Sequence, residues 1–333
     1  MIIYLFNPMK FTSIDDPFVR KEYFSQIKKL PQISELEIYK DSPETSEAII
    51  ERISDANMIT LDIFPQIDST ILDASKNLTA IFCQSVGFNN IDVHYARKKG
   101  VRVYNCAGYN AIAVAEFVFA LVTSLLRKIP AAQEHVRAGG WVQRYFEGRE
   151  LYGKTIGIIG SGNIAKRILY IAKGYGMKTM VYTQHPTEDK LGDLGLEEFS
   201  PLESLLKKSD IVMTAVPLTN ETKHLIGKTE LALMKKDAIL VNTSRQTVVD
   251  EYALAETILE NKIGGAVLDV ILTEPFHLKE NPILIQEMIN LPNVIVTPHI
   301  AGISEESSIY LGEIFVQNVK NFLKGDLTNC VNT

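Results

Sequence analysis

The chain is 333 residues long, with 46% hydrophobic and 22% charged residues and a formal net charge of −6. That length supports two domains with separate cores, and the acidic balance leaves no basic stripe for a phosphate backbone, which sets nucleic acid aside as a partner. The start, MIIYLFNPMK, has no basic leader, and the most apolar segment, AIAVAEFVFALVTSLL from Ala111, is shorter than a bilayer span and carries Glu116, so neither export nor a membrane partner is expected.

Along the first third, short apolar runs alternate with amphipathic stretches. The runs are IIYLF (2–6), ELEIYK (35–40), NMITLDIF (57–64), LTAIFCQ (78–84) and VRVYN (101–105), and helical patterns fall at 44–54 and 91–99. This is a βαβ series, with the first strand placed at the amino terminus. The Ala111 segment reads as a buried helix; being apolar on nearly all faces it needs cover on several sides, which suggests a domain junction or subunit interface and a homodimer. A second series follows: TIGIIG (155–160), KTMVYT (178–183), DIVMTAV (210–216), AILVNTS (238–244), GAVLDV (265–270) and VIVTPH (294–299), with helices at 162–175 and 249–260. Six such strands make a doubly wound sheet, so the fold class is α/β with two doubly wound domains. The tail from Ser304 to Lys324 reads as one more amphipathic helix, capped by Ser304 and able to dock back on the first domain.

Cys83, Cys106 and Cys330 lack zinc-like spacing, so no metal is expected, and reduced thiols in a cytoplasmic protein are the plain reading. Within GIIGSGNIA (157–165), Gly160 ends a strand, Gly162 opens a helix and Ala165 stands where a small residue permits close helix–strand packing. This spacing marks a dinucleotide site: Gly160 for the turn, and Ser161, Gly162, Asn163 and Ile164 around a pyrophosphate at the helix amino end. Thr183 stands where an acid for an NAD ribose is expected, followed by Gln184 and His185. No carboxylate there repels a 2′-phosphate, so the reading is NAD(P) with a lean towards NADP, although no arginine is present to clamp that phosphate. Arg245, Glu274 and His299 each follow an apolar strand-like run, which directs a cation, an acid and an imidazole to the carboxyl edge of a parallel sheet.

These strings, together with SVGFNNID (85–92), NCAGYNAIAVAE (105–116), GRELYGKTIGIIGSGNIA (148–165), VPLTNETKHLI (216–226), NTSRQTVVDEYAL (242–254), LDVILTEP (268–275) and TPHIAG (297–302), resemble the D-isomer-specific 2-hydroxyacid dehydrogenase family over nearly the whole chain. The resemblance implies a flavodoxin-like substrate domain (1–104 plus 303–333) around an inserted Rossmann cofactor domain (105–302). It implies hydride transfer between NAD(P)H and C2 of a small 2-keto or 2-hydroxy acid. Arg245 would hold the carboxylate and polarise the carbonyl, and His299 would be general acid and base, with Glu274 pairing to favour the imidazolium. It further implies that Val86 and Gly87 bind the substrate carboxylate through backbone N–H groups. Val216, Pro217, Thr243, Ser244, Asp269 and His299 would contact cofactor, Asp269 near the nicotinamide carboxamide, while Pro217 and Asn242 read equally well as turn-shaping residues. Gln246 replaces the glycine usual after the arginine, and Ala107 a usual proline; neither change removes a catalytic group.

Substrate selectivity is not marked by a motif. Phe11, Val86, Phe88 and Ile303 are candidate pocket residues, and glyoxylate or hydroxypyruvate is the first choice. The alternatives are a same-fold dehydrogenase of another small anion, such as phosphoglycerate, phosphite or formate, or a nucleotide-sensing, corepressor-like scaffold. Glu274 speaks against formate, whose family enzymes carry Gln there.

Overall fold

The computed structural model describes residues 8–272 and 282–333. The chain divides into two compact units, one holding the residues up to Asn110 together with Ser304–Thr333, the other Ala111–Ile303. The divisions fall slightly later than the 104/105 and 302/303 breaks read from the sequence. Residues 105 and 106 stay with the first unit through backbone bonds from Asn105 to Asn329 (3.2 Å) and from Cys106 to Ser85 (2.9 Å).

The first unit is built on a parallel sheet of β1 (Met9–Ser13), β2 (Ile33–Ile38), β3 (Met58–Leu61), β4 (Ala80–Cys83) and β5 (Arg102–Tyr104), ordered β2-β1-β3-β4-β5. The chain leaves β1 towards β2 and then reverses to β3, which is the flavodoxin-like order with its switch point between β1 and β3. The expected strand IIYLF lies outside the described residues, and the first strand among those is β1, MKFTS. Its Phe11, Thr12 and Ser13 are all buried. A parallel strand is covered on both faces, and here two small polar side chains interrupt the apolar run that would have announced it. The carboxyl-terminal helix Glu305–Leu323 starts with a reciprocal cap, Ser307 N–H to Ser304 Oγ (3.0 Å) and Ser304 N–H to Ser307 Oγ (2.8 Å). It packs Leu311, Phe315 and Val319 into one cluster with Phe11, Phe24, Phe82 and Tyr104. Phe11 is therefore a core residue and not a pocket wall.

Just past β1, Asp15 is buried; its Oδ2 accepts the Asp62 N–H (2.8 Å), while Oδ1 is buried without a hydrogen-bond partner among the described residues. Burial pushes the carboxyl up to about 7, against the Asp62 N–H bond and the Arg52 charge that favour the anion. Folded protein thus keeps a proton that the unfolded chain releases near pH 4. The stability linked to this group is fully present below that pH and is lost as pH rises through 7, on the order of 4 kcal/mol in all. Asp15→Asn keeps the bond to Asp62 and cannot ionise. Its melting temperature relative to the parent is expected to climb between pH 4 and pH 7 and then level; an offset independent of pH contradicts this.

The second unit carries β6 (Thr155–Ile159), β7 (Lys178–Tyr182), β8 (Ile211–Thr214), β9 (Ile239–Asn242), β10 (Gly265–Leu268) and β11 (Val294–Val296), all parallel, ordered β7-β6-β8-β9-β10-β11. Strands β8, β9 and β10 are buried at every position, which explains their unbroken apolar runs. Beyond β7, the Ser200 N–H bonds to Val181 O (2.8 Å), so a non-strand segment borders that edge. The helix Ala111–Leu126 buries Val114, Ala115, Val118, Phe119 and Val122 in the same cluster as Ile158, Ile168 and Val267. Its apolar character is thus largely accounted for by its own unit. By contrast the next helix, Ile129–Arg137, has no buried residue, and Val136, Trp141 and Tyr145 on and after it are exposed, Trp141 by 79%.

Candidate active site

The turn after β6 is dictated by contact. Gly160 has φ +126°, and a Cβ there would lie 2.2 Å from the Ala215 carbonyl oxygen that follows β8, so only glycine fits. Gly162 differs: it is the N-cap of the helix Asn163–Gly174, and a Cβ on it would meet nothing within 4 Å. Packing inside the protein therefore does not require glycine at 162, whereas close approach of a ligand does. No side chain caps this helix, leaving its first N–H groups to an anion, which the helix dipole also favours. Ala165 is fully buried one turn in. The loop sits between β6 and β8, where the sheet order reverses, the usual ligand position in open α/β sheets. These features fit a dinucleotide pyrophosphate.

Ser161 and Thr183 share a hydrogen bond between their hydroxyls (3.1 Å), which joins the glycine loop to the end of β7. Beyond it, Gln184 Nε2 donates to Glu221 O (3.4 Å), Lys190 Nζ donates to His185 O (2.7 Å), and His185 Nε2 lies 3.8 Å from Glu221 Oε2. Sequence reading missed Glu221. It comes from the loop after β8, braced by Thr219 N–H to Thr222 Oγ1 (2.8 Å) and Thr222 Oγ1–H to Pro217 O (2.6 Å), and its only sequence signal was its place within VPLTNETKHLI. A carboxylate thus stands beside His185, where the sequence suggested none, and this weakens the lean towards NADP.

Arg245 follows β9 on a loop organised by Asn242, which is 1% exposed. Asn242 Oδ1 accepts the Ser244 N–H (3.1 Å) and the Ser244 hydroxyl (3.0 Å), and its Nδ2 donates to Arg245 O (3.1 Å). Thr214 at the end of β8 joins through its hydroxyl, 2.8 Å from Asn242 Oδ1. Arg245 NH1 bonds back to Ser244 O (2.7 Å). Asn242 is accordingly more than a strand-end marker: it ties Ser244 and Arg245 of this loop to each other and to Thr214 of β8. Among the described residues Thr243 Oγ1 is buried without a hydrogen-bond partner, a place for a ligand donor or acceptor.

His299 follows β11 with φ +55°, the left-handed region that costs about 1–3 kcal/mol for a residue other than glycine and persists only where surroundings impose it. The surroundings are Asp269, just past β10 and 1% exposed. Its Oδ1 accepts the Thr297 hydroxyl (2.6 Å) and the Ile300 N–H (2.9 Å), its Oδ2 the Ala301 N–H (2.7 Å), and its carbonyl the His299 N–H (2.9 Å). Burial pushes the Asp269 carboxyl up, while these hydrogen bonds and the His299 charge hold it down. Arg245 and His299 thus sit on loops at the same sheet edge, either side of the β10 end; Glu274 lies outside the described residues.

In the first unit, the loop after β4 has its carbonyls engaged: Ser85 Oγ donates to Gly87 O (2.6 Å) and Asn105 Nδ2 to Val86 O (2.7 Å). The N–H groups of Val86 and Gly87 enter no hydrogen bond among the described residues. No helix among the described residues is long and apolar enough to cross a membrane.

A doubly wound sheet with an open helix end at its switch point is an architecture that binds dinucleotides. The chain belongs to the D-isomer specific 2-hydroxyacid dehydrogenase family, whose NAD binding domain model matches residues 119–301. It is 38% identical over 312 residues to a glyoxylate reductase of Korarchaeum cryptofilum, covering 92% of each chain. Among solved structures it resembles an acyclic imino acid reductase (Bsp5) in complex with NADPH and D-Arg, at 30% identity and TM-score 0.85 over 97% of this chain and 99% of that one. It also resembles D-lactate dehydrogenase from Aquifex aeolicus complexed with NAD and lactic acid, at 30% identity and TM-score 0.83 with the same coverage of 97% and 99%. The protein is therefore an oxidoreductase that uses a nicotinamide cofactor, in a family acting on small keto and hydroxy acids.

Proposed function

We propose that the protein reduces a small 2-keto acid, glyoxylate or hydroxypyruvate foremost, to the corresponding 2-hydroxy acid with NAD(P)H. The observation that carries this reading is the shared carboxyl edge of one sheet: the uncapped helix end after β6, Arg245 after β9 and His299 after β11. Arg245 holds the substrate carboxylate and the keto oxygen with a guanidinium fork, charged at every working pH. Val86 and Gly87 are carried over from the family resemblance as backbone N–H donors to a carboxylate. His299 hands its proton to the carbonyl oxygen, and in the reverse direction takes the hydroxyl proton back. Glu274, outside the described residues, keeps the role of partner to His299 that the family resemblance implies. The bound reduced nicotinamide supplies the hydride that C2 gains. The second test of this reading is decay of NADPH and NADH absorbance against glyoxylate, hydroxypyruvate, pyruvate and bulkier 2-keto acids. Turnover with small acids in preference to bulky ones supports it; nucleotide binding without turnover of any acid points to another anion or to a sensing role.

Use of both nucleotides follows from the same reading, with Thr183, Gln184 and His185 open to a 2′-phosphate and Glu221 opposing it. Thr183→Asp adds a ribose acceptor and a repulsive charge. The NADH-to-NADPH ratio of kcat/KM is expected to rise by about tenfold, which corresponds to roughly 1.4 kcal/mol. An unchanged ratio removes residue 183 from the ribose pocket.

A cytosolic homodimer completes the reading. The three cysteines are free thiols, and burial pushes Cys83 up to about 12, too high to react readily. The face offered to a second copy is that of Val136, Trp141 and Tyr145, in place of the Ala111–Leu126 helix. A mass of one chain by light scattering contradicts the dimer.

A further inference from the structure

We propose that Asp15 is a proton-responsive anchor for the loops that leave β3 and β4: neutral it fixes them, and ionised it releases them. In the first sheet Ser13 of β1, Thr60 of β3 and Phe82 of β4 stand in one row, and two residues further along come Asp15, Asp62 and Gln84, each opening a loop. Parallel pairing would give the Asp62 N–H to Ile14 O, just as the Ile14 N–H goes to Thr60 O (3.1 Å). Instead Ile14 O accepts from Arg52 NH1 (2.7 Å), and the Asp62 N–H goes to Asp15 Oδ2 (2.8 Å). A side-chain carboxyl thus replaces the last backbone rung between β1 and β3. Asp62 O in turn accepts from Asn90 Nδ2 (3.1 Å), which also donates to Pro65 O (2.9 Å), while Asn90 O accepts the Ile67 N–H (2.8 Å). The loops after β3 and β4 therefore form one tied piece, and Val86 and Gly87 lie on it.

Asp15 and Gln84 are each 1% exposed, and Asp15 Oδ1 and Gln84 Nε2 are buried without a hydrogen-bond partner among the described residues. A neutral carboxyl tolerates this; a carboxylate out of water needs donors. Two charged groups act on Asp15: Asp62 opposes its ionisation, and Arg52 of the helix Ser46–Ile53 favours it while paired with Asp41 (2.6 Å). The helices Lys21–Lys28 and Glu305–Leu323, which cover this face, bury no charged side chain; Tyr23 is the titratable group among their buried residues, and its hydroxyl donates to Ile309 O (3.2 Å). Burial pushes the Asp15 carboxyl up to about 7, so its charge arrives in the neutral range. Below that pH the side-chain rung is intact. Above it, donors for the anion come from the Gln84 amide or from water admitted between the loops, and either shifts the segment that Gln84 opens.

Amide hydrogen exchange followed by mass spectrometry at pH 6 and pH 8, in the parent and in Asp15→Asn, tests the anchor. Asparagine keeps an acceptor for the Asp62 N–H and cannot ionise. The intrinsic pH dependence of exchange is common to both proteins. Beyond it, residues 63–68 and 85–92 of the parent are expected to exchange about tenfold faster at pH 8 than those of Asp15→Asn, with β3 and β4 alike in the two. Equal protection of the loops at both pH values overturns the proposal, and so does a change spread equally over the strands, which is global destabilisation. If Asp15→Asn does not fold, Asp62→Asn removes the like charge instead: the midpoint of the loop transition is expected at lower pH than in the parent, and an unmoved midpoint overturns the proposal. The consequence for substrate rests on Val86 and Gly87 as carboxylate donors. Between pH 6 and pH 8 the KM for glyoxylate is expected to rise about tenfold more in the parent than in Asp15→Asn, the scale of one weakened hydrogen bond to a charged group, while the ratio of the two kcat values holds constant. A loop transition with parallel KM profiles upholds the anchor and refutes that carboxylate role alone.

Discussion

Arg245→Ala is expected to lower kcat/KM for glyoxylate reduction by about a thousandfold or more, with NADH and NADPH affinities near the parent values. Truncating one partner of a desolvated, hydrogen-bonded charge pair costs about 2–5 kcal/mol, and a lost contact to the developing oxyanion adds to it. Each 1.36 kcal/mol is about tenfold in rate. The loss should show in KM as well as kcat, because one guanidinium serves the carboxylate of the ground state and the oxygen of the transition state. Arg245→Lys restores the charge without the fork and should recover only part of it. Parental kcat/KM in Arg245→Ala, measured at saturating nucleotide, rules out the carboxylate role.

His299→Ala is expected to act on kcat, by about 10²–10⁴, the range for a positioned general acid. Nucleotide affinity should be near normal. Reduction takes a proton from His299, whereas oxidation returns one to the neutral ring, so the pH profiles of the two directions should run in opposite senses in the parent and lose that opposition in His299→Ala. A variant that keeps the parental profile in both directions shows that another group moves the proton.

The parts that the sequence revealed and those it hid differ for physical reasons. Strands β8 to β10 are covered on both faces, so burial writes itself as an apolar run. The Gly160 turn was legible because its contact with Ala215 O leaves no room for another residue. In β1, buried Thr12 and Ser13 interrupt the apolar pattern, so MKFTS carries no run that announces a strand. Glu221 was invisible because proximity to His185 is made by a loop distant in sequence, and no local pattern encodes such a meeting. The same holds for Asp269: the motif LDVILTEP marks the residue, but that its carboxylate turns to Thr297, Ile300 and Ala301 follows only from β10 and β11 being neighbours. The apolar faces of the Ala111–Leu126 helix suggested a domain junction or a subunit interface; Val114, Ala115, Val118, Phe119 and Val122 lie in the core of its own unit, which accounts for much of that apolar pattern.

The most direct test of the central claim is isotope transfer. Purified protein is incubated with glyoxylate and with NADH or NADPH carrying deuterium at nicotinamide C4, each hand labelled in turn, and the acid recovered is weighed by mass spectrometry. The account predicts glycolate with one deuterium on C2 from one of the two labelled hands, lost in Arg245→Ala and His299→Ala. Deuterium absent from C2 of glycolate, with glyoxylate and hydroxypyruvate both unconsumed while nucleotide binds, contradicts it.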